Sequence, residues 1–285
     1  MTSEGMAGIG GIVFWQAHRG GGGVERPDNT MVSARYGWDL GGAAELDIRL
    51  TADGKIVCLH DPTLRRTTNA PDDIADIPVT ELRYEQFADL DAGTKFDPKY
   101  MGARVPLLTE VFAAMAADPR KRAYLDCKNI DLGQLAKMIA DYGLDGRIWV
   151  AGPKRANLAE MRKILPSVDT MQWLGGSGAD IVAKYEDSAA AGFQGLAQIQ
   201  FHLNEKADLV SPHSFEWRYT VEPRILAGAL ARCRDAGVDL EVFPWKFADS
   251  DIRALLDLGV RWFATDEPAR FSAAVKAWLA AGARR

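Results

Sequence analysis

From residue 123 to residue 281 the sequence alternates short apolar runs with segments of helical period, and only a few residues join them. Apolar runs at 123–127 (AYLDC), 147–151 (RIWVA), 170–174 (TMQWL), 239–245 (DLEVFPW) and 261–265 (RWFAT) have the length and content of buried strands. Between them lie helical segments at 131–142, 157–164, 180–190, 223–235 and 249–258, with a closing helix at 271–281. Several carry start or stop signals, such as Pro223 in a first turn and Gly143 and Gly259 at ends. Two further short strands are expected at 195–204 and 207–211. Strands alternating with helices through short joins imply a parallel sheet. About eight strands in this length favour a (β/α)8 TIM barrel over an open sheet. No glycine fingerprint of a dinucleotide fold follows the first strand.

The N-terminal part is less regular. Residues 12–17 (IVFWQA) predict a strand ending at His18, Arg19 and Gly20. The four glycines 20–23 form either an anion-binding loop of approachable N–H groups or a plain connector. Asp28, Asn29 or Thr30 then caps a helix that runs to about Leu40. Residues 44–50 (AELDIRL) alternate, with Glu45, Asp47 and Arg49 on one face and Leu46, Ile48 and Leu50 on the other. If the aliphatic face packs on helices, the charged face points into the barrel. Unpaired charge is costly there, and a bound cation would relieve it; the alternative is a solvated edge strand. A turn at 51–54 leads straight into 55–59 (KIVCL) and His60-Asp61, too soon for a crossover helix. Either the strands form a hairpin, with His60 across from about Glu45, or the barrel is irregular here. Asp61 either orients His60 or caps the next turn. Residues 62–104 are polar and turn-rich, and predict a small insertion after the third strand, over the active-site end of a single domain spanning 1–285. Asp126 and Lys128 repeat the i, i+2 spacing of Glu45 and Asp47.

Bulk properties bound the partners. The net charge of −5, with no basic stripe, argues against nucleic acid. No run approaches the roughly 20 apolar residues of a membrane span. The three cysteines (Cys58, Cys127, Cys233) are too few and too scattered for a disulfide framework, and two fall in strand-like runs. With no signal-like segment before Ile12, a reducing, cytoplasmic location is expected.

Taken in order, His18-Arg19-Gly20, Pro27-Asp28-Asn29-Thr30, Glu45-Leu46-Asp47 and His60-Asp61 resemble the glycerophosphodiester phosphodiesterase family, whose pattern runs HRG, PENT, E-x-D, a T-x-DG turn and HD. The likeness continues in Leu64-Arg65-Arg66-Thr67-Thr68-Asn69, in residues 105–110 (VPLLTE), in Asp126-Cys127-Lys128 at E-x-K, in Trp245 at W-T-x-N, and in Thr265-Asp266-Glu267-Pro268 at TD-x-P. Three positions depart from the pattern. Asp28 and Asp126 stand where Glu is usual, and Lys246 where Thr follows Trp. Asp126 is one methylene shorter than Glu, so its strand must come closer to any ion.

The resemblance implies one divalent cation held by Glu45, Asp47 and Asp126, with His18 and His60 as acid–base residues. Three carboxylates suit a hard ion, Ca²⁺ or Mg²⁺. Arg19 and Lys128 would grip phosphate, the first through a fork of N–H donors and the second as a point charge. Trp245, and with it Trp173, is either a pocket wall or core. The implied reaction is hydrolysis of a small glycerophosphodiester to sn-glycerol 3-phosphate and an alcohol, through attack by the neighbouring glycerol hydroxyl and a cyclic phosphate that water opens. Competing readings are lysophospholipase D action on larger lipids, a non-catalytic phosphate-binding barrel, and a Schiff-base aldolase using Lys128. The acids expected around Lys128 oppose the last of these. His202 and His213 match no motif and are expected in surface or core roles. Asp266 is expected to hold the barrel end.

Overall fold

A computed structural model of the chain describes residues 8–207 and 217–282. Its sheet has nine strands: β1 (Phe14–Ala17), β2 (Ala43–Leu50), β3 (Ile56–Cys58), β4 (Ala123–Asn129), β5 (Ile148–Gly152), β6 (Asp169–Leu174), β7 (Gln198–Leu203), β8 (Asp239–Pro244) and β9 (Trp262–Thr265). All neighbours are parallel except β2 and β3. β1 pairs with both β2 and β9, which closes eight parallel strands into a barrel. Helices follow the strands: α1 (Met31–Asp39), α2 (Asp72–Ala75), α3 (Leu108–Ala116), α4 (Leu132–Asp141), α5 (Arg155–Ile164), α6 (Gly178–Ala190), α7 (Pro223–Asp235), α8 (Asp249–Asp257) and α9 (Pro268–Gly282). The chain is a (β/α)8 TIM barrel with one antiparallel strand added.

That added strand resolves the choice left open between a hairpin and an irregular barrel. β3 folds back on β2 with Ile48 beside Cys58 and Leu50 beside Ile56. The pairing carries on, as Leu59 donates its N–H to the Asp47 carbonyl at 2.8 Å. Asp47 thus lies across from Leu59, and His60 falls one residue short of facing Glu45. At 195–204 only β7 forms. Most of the strand expected at 207–211, and His213, lie outside the described residues.

The period-two pattern explains the layering. Outward residues such as Leu46, Ile48, Leu125, Val150 and Ile199 join helix residues such as Phe112, Leu135 and Ile181 in the main apolar shell. Inward residues at the start of the strands form a separate plug of Phe14, Ala43, Tyr124, Trp149, Met171 and Trp262. Within it Tyr124 stacks on Trp149 at 4.8 Å and Phe14 on Trp262 at 4.7 Å. Stepping by two along each strand leads upward from that plug to polar residues: Phe14, Gln16, His18; Ala43, Glu45, Asp47; Tyr124, Asp126, Lys128; Gln198, Gln200, His202. An aromatic floor therefore carries titratable groups at the carboxyl ends of the strands, where barrels of this kind place their chemistry. Residues 62–104 hold α2 and short helical turns around a cluster of their own, including Leu64, Val79, Leu82 and Phe87, packed on Val57 and Leu59 of the hairpin.

Candidate active site

The carboxyl ends of the strands enclose a cavity of about 270 Å³ lined by His18, Arg19, Glu45, Asp47, His60, Asp126, Lys128, Trp173, His202, Phe243 and Trp245, among others. All eight residues singled out from the sequence border it. Asp47 and Asp126 are direct partners in the pairing of β2 and β4, so their side chains emerge side by side. Glu45, two residues earlier on β2, shares their face. One oxygen from each of the three carboxylates lies within 4.8 Å of the others. The solvated-edge reading of β2 does not hold, since Glu45 and Asp47 are 5% and 1% exposed.

Each carboxylate is held by a named partner. Glu45 Oε2 accepts the Arg19 backbone N–H at 2.7 Å. Asp47 Oδ2 accepts from Asn29 Nδ2 at 2.9 Å, and the Asp47 N–H donates back to Asn29 Oδ1 at 2.8 Å. Lys128 Nζ reaches Asp47 Oδ1 at 2.9 Å and Asp126 Oδ2 at 2.6 Å. Asp126 Oδ1 is buried and has no hydrogen-bond partner among the described residues. Burial, and then the charge of Asp47, pushes the Glu45 carboxyl up to about 8. Asp47 goes the other way: burial would raise it, but Lys128, His60, His18 and Arg19 hold it below the ordinary carboxylate value. For Asp126 burial wins over Lys128, and its pKa is raised. The acids around Lys128 raise its pKa against the effect of burial, and its ion pairs with Asp47 and Asp126 favour the ammonium over the neutral amine that Schiff-base chemistry needs.

The two imidazoles are held alike. His18 Nδ1 lies 2.7 Å from Asp266 Oδ1, and His60 Nδ1 lies 2.8 Å from Asp61 Oδ1. A carboxylate can only accept, so each ring donates from Nδ1 and keeps Nε2 for the cavity. Burial would lower the His18 pKa, but the bond to Asp266 and the charges of Glu45 and Asp266 outweigh it and raise it. Asp61 therefore orients His60, one of the two roles the sequence left open. Asp266 does more than hold the barrel end. It fixes one of the two imidazoles.

The turn after β1 explains the conformation of Arg19. Arg19 has φ 50° and Asn29 has φ 55°, in the left-handed region that side chains rarely occupy. Strain of this kind persists where the surroundings enforce it. Here Arg19 is fixed by Glu45 through its N–H and by Asp28 through Nη1 at 3.2 Å. The glycine loop supports this turn, and three of its four N–H groups are engaged within it. Gly21 and Gly22 donate to the His18 carbonyl, and Gly23 to that of Arg26. A Cβ on Gly22 would stand 2.1 Å from the Asp28 Cα. Thr30 is the residue that caps α1, in a reciprocal box with Ser33, which leaves Asp28 and Asn29 free for the site.

On the opposite wall, Trp245 and Trp173 take the pocket-wall role that the sequence offered as one of two, while His202 and Phe243 were missed. His202 is neither surface nor core. It stacks on Trp173 at 5.3 Å and meets Trp245 and Phe243 edge-on at 5.3 and 5.5 Å. Its Nε2 pairs with Gln200 Oε1 at 2.8 Å. Burial, with the charges of His18 and Lys128, pushes its pKa down to about 3, so it is neutral. Trp245 also stands edge-on to His18 at 5.6 Å and is 38% exposed at the mouth. The only forewarning was the same step of two from Gln198 to His202. The cysteines are unpaired; Cys58 and Cys233 are buried, and burial raises the thiol pKa of all three.

Comparison with known proteins agrees with this architecture. The family model described as "Glycerophosphoryl diester phosphodiesterase family" matches residues 18–270. A glycerophosphodiester phosphodiesterase of Caldanaerobacter subterraneus subsp. tengcongensis is 28% identical over 263 residues, 88% of this chain and 93% of that relative. A lysophospholipase D of Rattus norvegicus is 30% identical over 129 residues, 44% of this chain and 40% of the relative. Among solved structures, a glycerophosphodiester phosphodiesterase from Agrobacterium tumefaciens aligns with a TM-score of 0.69 at 23% identity, covering 92% of this chain and 100% of the other. An Oleispira antarctica phosphodiesterase in complex with the product sn-glycerol-3-phosphate aligns with a TM-score of 0.70 at 18% identity, covering 93% and 97%. The structural likenesses bear on the fold, and the family match runs through nearly the whole chain and takes in all eight residues singled out from the sequence: the chain belongs to the glycerophosphoryl diester phosphodiesterase family and is an enzyme of that class.

Proposed function

We propose that the protein hydrolyses glycerophosphodiesters to sn-glycerol 3-phosphate and an alcohol, with one divalent cation and with His18 and His60 as the acid–base pair. The observation that carries the reading is the meeting of three carboxylates and two Asp-held imidazoles around one cavity.

The residues fit a hard cation. Glu45, Asp47 and Asp126 offer oxygens within 4.8 Å of one another, and Asp126 Oδ1 is buried with no partner among the described residues. Oxygen ligands of this kind suit Ca²⁺ or Mg²⁺. Bound there, the ion would supply charge neutralisation at a phosphate oxygen and at the attacking oxygen. The chain's own residues do the rest. Arg19 presents a guanidinium for bidentate contact with phosphate, and Lys128 adds a point charge beside it. One imidazole takes the proton of the attacking glycerol hydroxyl as its oxygen bonds to phosphorus. The other gives a proton to the alcohol oxygen as the phosphorus–oxygen bond breaks. Water then opens the cyclic phosphate with the roles reversed. Trp245 shields the mouth. A cavity of about 270 Å³ lies just below the usual range for small-molecule pockets, which favours a short head group over an acyl chain.

Among the described residues no helix is long and apolar enough to cross a membrane. From the three scattered, unpaired cysteines we propose a reducing, cytoplasmic location, and a single domain in which residues 62–104 reach the site's support through Arg66.

The test is turnover of glycerophosphocholine by wild type, His18→Ala and Asp126→Ala, with and without EDTA, and with lysophosphatidylcholine as the contrasting substrate. EDTA should abolish turnover and added Mg²⁺ or Ca²⁺ should restore it. His18→Ala should lose about 10²- to 10⁴-fold in kcat. Turnover that survives EDTA sinks the cation; an active His18→Ala sinks the acid–base assignment. Preference for lysophosphatidylcholine returns the lysophospholipase D reading, and phosphate binding without turnover returns the binding barrel.

A further inference from the structure

Residues 62–104 carry no group of the reacting set, yet one of their arginines is built into the site's support. Arg66 Nε lies 2.6 Å from Asp61 Oδ2, and its Nη2 lies 3.0 Å from Asp61 Oδ1 and 2.9 Å from Asp28 Oδ2. Its two partners lead to different reacting groups. Asp61 Oδ1 holds His60 Nδ1 at 2.8 Å. Asp28 Oδ2, whose side chain is 4% exposed, holds Arg19 Nη1 at 3.2 Å. A single planar fork therefore sets the acid–base imidazole on the hairpin and the phosphate-gripping guanidinium on the β1 turn.

We infer that Arg66 is a positioning residue that couples the inserted segment to catalysis, by fixing His60 through Asp61 and Arg19 through Asp28. The geometry demands arginine. Lysine has one point of charge and cannot span both oxygens of Asp61 while reaching Asp28. Its neighbour shows what an ordinary surface arginine does here: Arg65 pairs with Asp72 and Asp76, within the insertion alone. His60 has the greater need of such support. Its side chain is 36% exposed against 17% for His18, and His18 is also packed against Phe243 at 4.7 Å. The inference rests on the phosphodiesterase reading above. It predicts that Arg66 affects kcat through one partner and KM through the other.

The experiment compares Arg66→Ala, Arg66→Lys and the control Arg65→Ala on glycerophosphocholine, with Arg66→Ala repeated in an Asp61→Asn background. Arg66→Ala should lower kcat/KM about 10- to 100-fold, the scale of partners that orient a reacting side chain. The loss should divide between kcat and KM. Arg66→Lys should recover only part, Arg65→Ala should match wild type, and in Asp61→Asn the loss in kcat should shrink to under about threefold, because one path is shared. Equal behaviour of Arg66→Ala and Arg65→Ala, or a full additive loss in Asp61→Asn, overturns the inference. If Arg66→Ala does not fold, Arg66→Lys carries the same comparison. A second readout does not depend on turnover: long-range ¹H–¹⁵N spectra of the histidine rings. Wild type should show His60 protonated at Nδ1 as a single tautomer, and Arg66→Ala (or Arg66→Lys) should show a mixture; an unchanged tautomer overturns the inference. A wild type inert towards all glycerophosphodiesters defeats the functional reading, and the spectra still decide this one.

Discussion

Glu241 lies on β8 inside the barrel and is 0% exposed. Its Oε1 accepts from the side-chain amides of Gln16 and Gln200, and Oε2 has no partner among the described residues. Burial pushes its pKa from the ordinary 4.5 up to about 8, against the pull of the two amides. The folded state thus holds this proton more tightly than the unfolded chain does. Below pH 4.5 the group is neutral in both states and costs nothing. As the pH rises, the unfolded chain releases the proton while the folded chain must keep it or bury a charge, so stability falls until the folded pKa is passed. Linkage sets the slope at about 1.4 kcal/mol per pH unit, so the full loss by pH 8 is up to about 5 kcal/mol. Glu241→Gln keeps the shape and the acceptor oxygen and removes the titration. Urea unfolding of both proteins at pH 5, 6, 7 and 8 should show the variant gaining on wild type at each step, through to pH 8. A difference that stays flat across that range refutes the buried, proton-holding carboxyl. Gln200, which accepts from His202, belongs to the same network, so the tautomer of His202 should be the same in both proteins.

Two further outcomes follow from the supports of the site. Asn29→Ala removes both bonds to Asp47 and should weaken Mg²⁺ or Ca²⁺ binding by about 10- to 100-fold in calorimetry; an unchanged affinity means Asp47 needs no such orientation. Gly22→Ala puts a methyl group 2.1 Å from the Asp28 Cα and should cost about 1–3 kcal/mol in urea unfolding, while raising KM through the displaced Asp28–Arg19 pair. Normal stability and KM would show that the loop yields freely.

Much of this molecule was legible where the information is local. The i, i+2 spacing of Glu45 with Asp47 and of Asp126 with Lys128 fixed a shared face, and parallel pairing of β2 with β4 brought those faces together. His60 and its orienting Asp61 are neighbours in sequence. What was hidden is long-range. Asp266 is the counterpart of Asp61, but 248 residues separate it from His18, and barrel closure alone makes them adjacent. His202 carries no neighbour that marks it; its role comes from facing Trp173, Phe243 and Trp245 across the cavity. The glycine loop invited an anion because its composition says nothing of where its N–H groups point. The β2–β3 hairpin was legible as an alternative, since a turn so short excludes a crossover helix, but the exact register was not.

Lys128 has a consequence for how the proposed metal site would be assembled. Its ammonium lies between Asp47 and Asp126, and with Arg19, whose Nε is 3.6 Å from Asp47, it already balances most of the charge of the three acids. The mouth of the barrel thus carries a built-in counter-ion and need not fly apart when no metal is present. With the proposed cation, folding and metal loading would be separable events, unlike sites whose ligands are assembled only by the ion they bind. On that reading, protein freed of the ion should persist as an intact scaffold that can be reloaded.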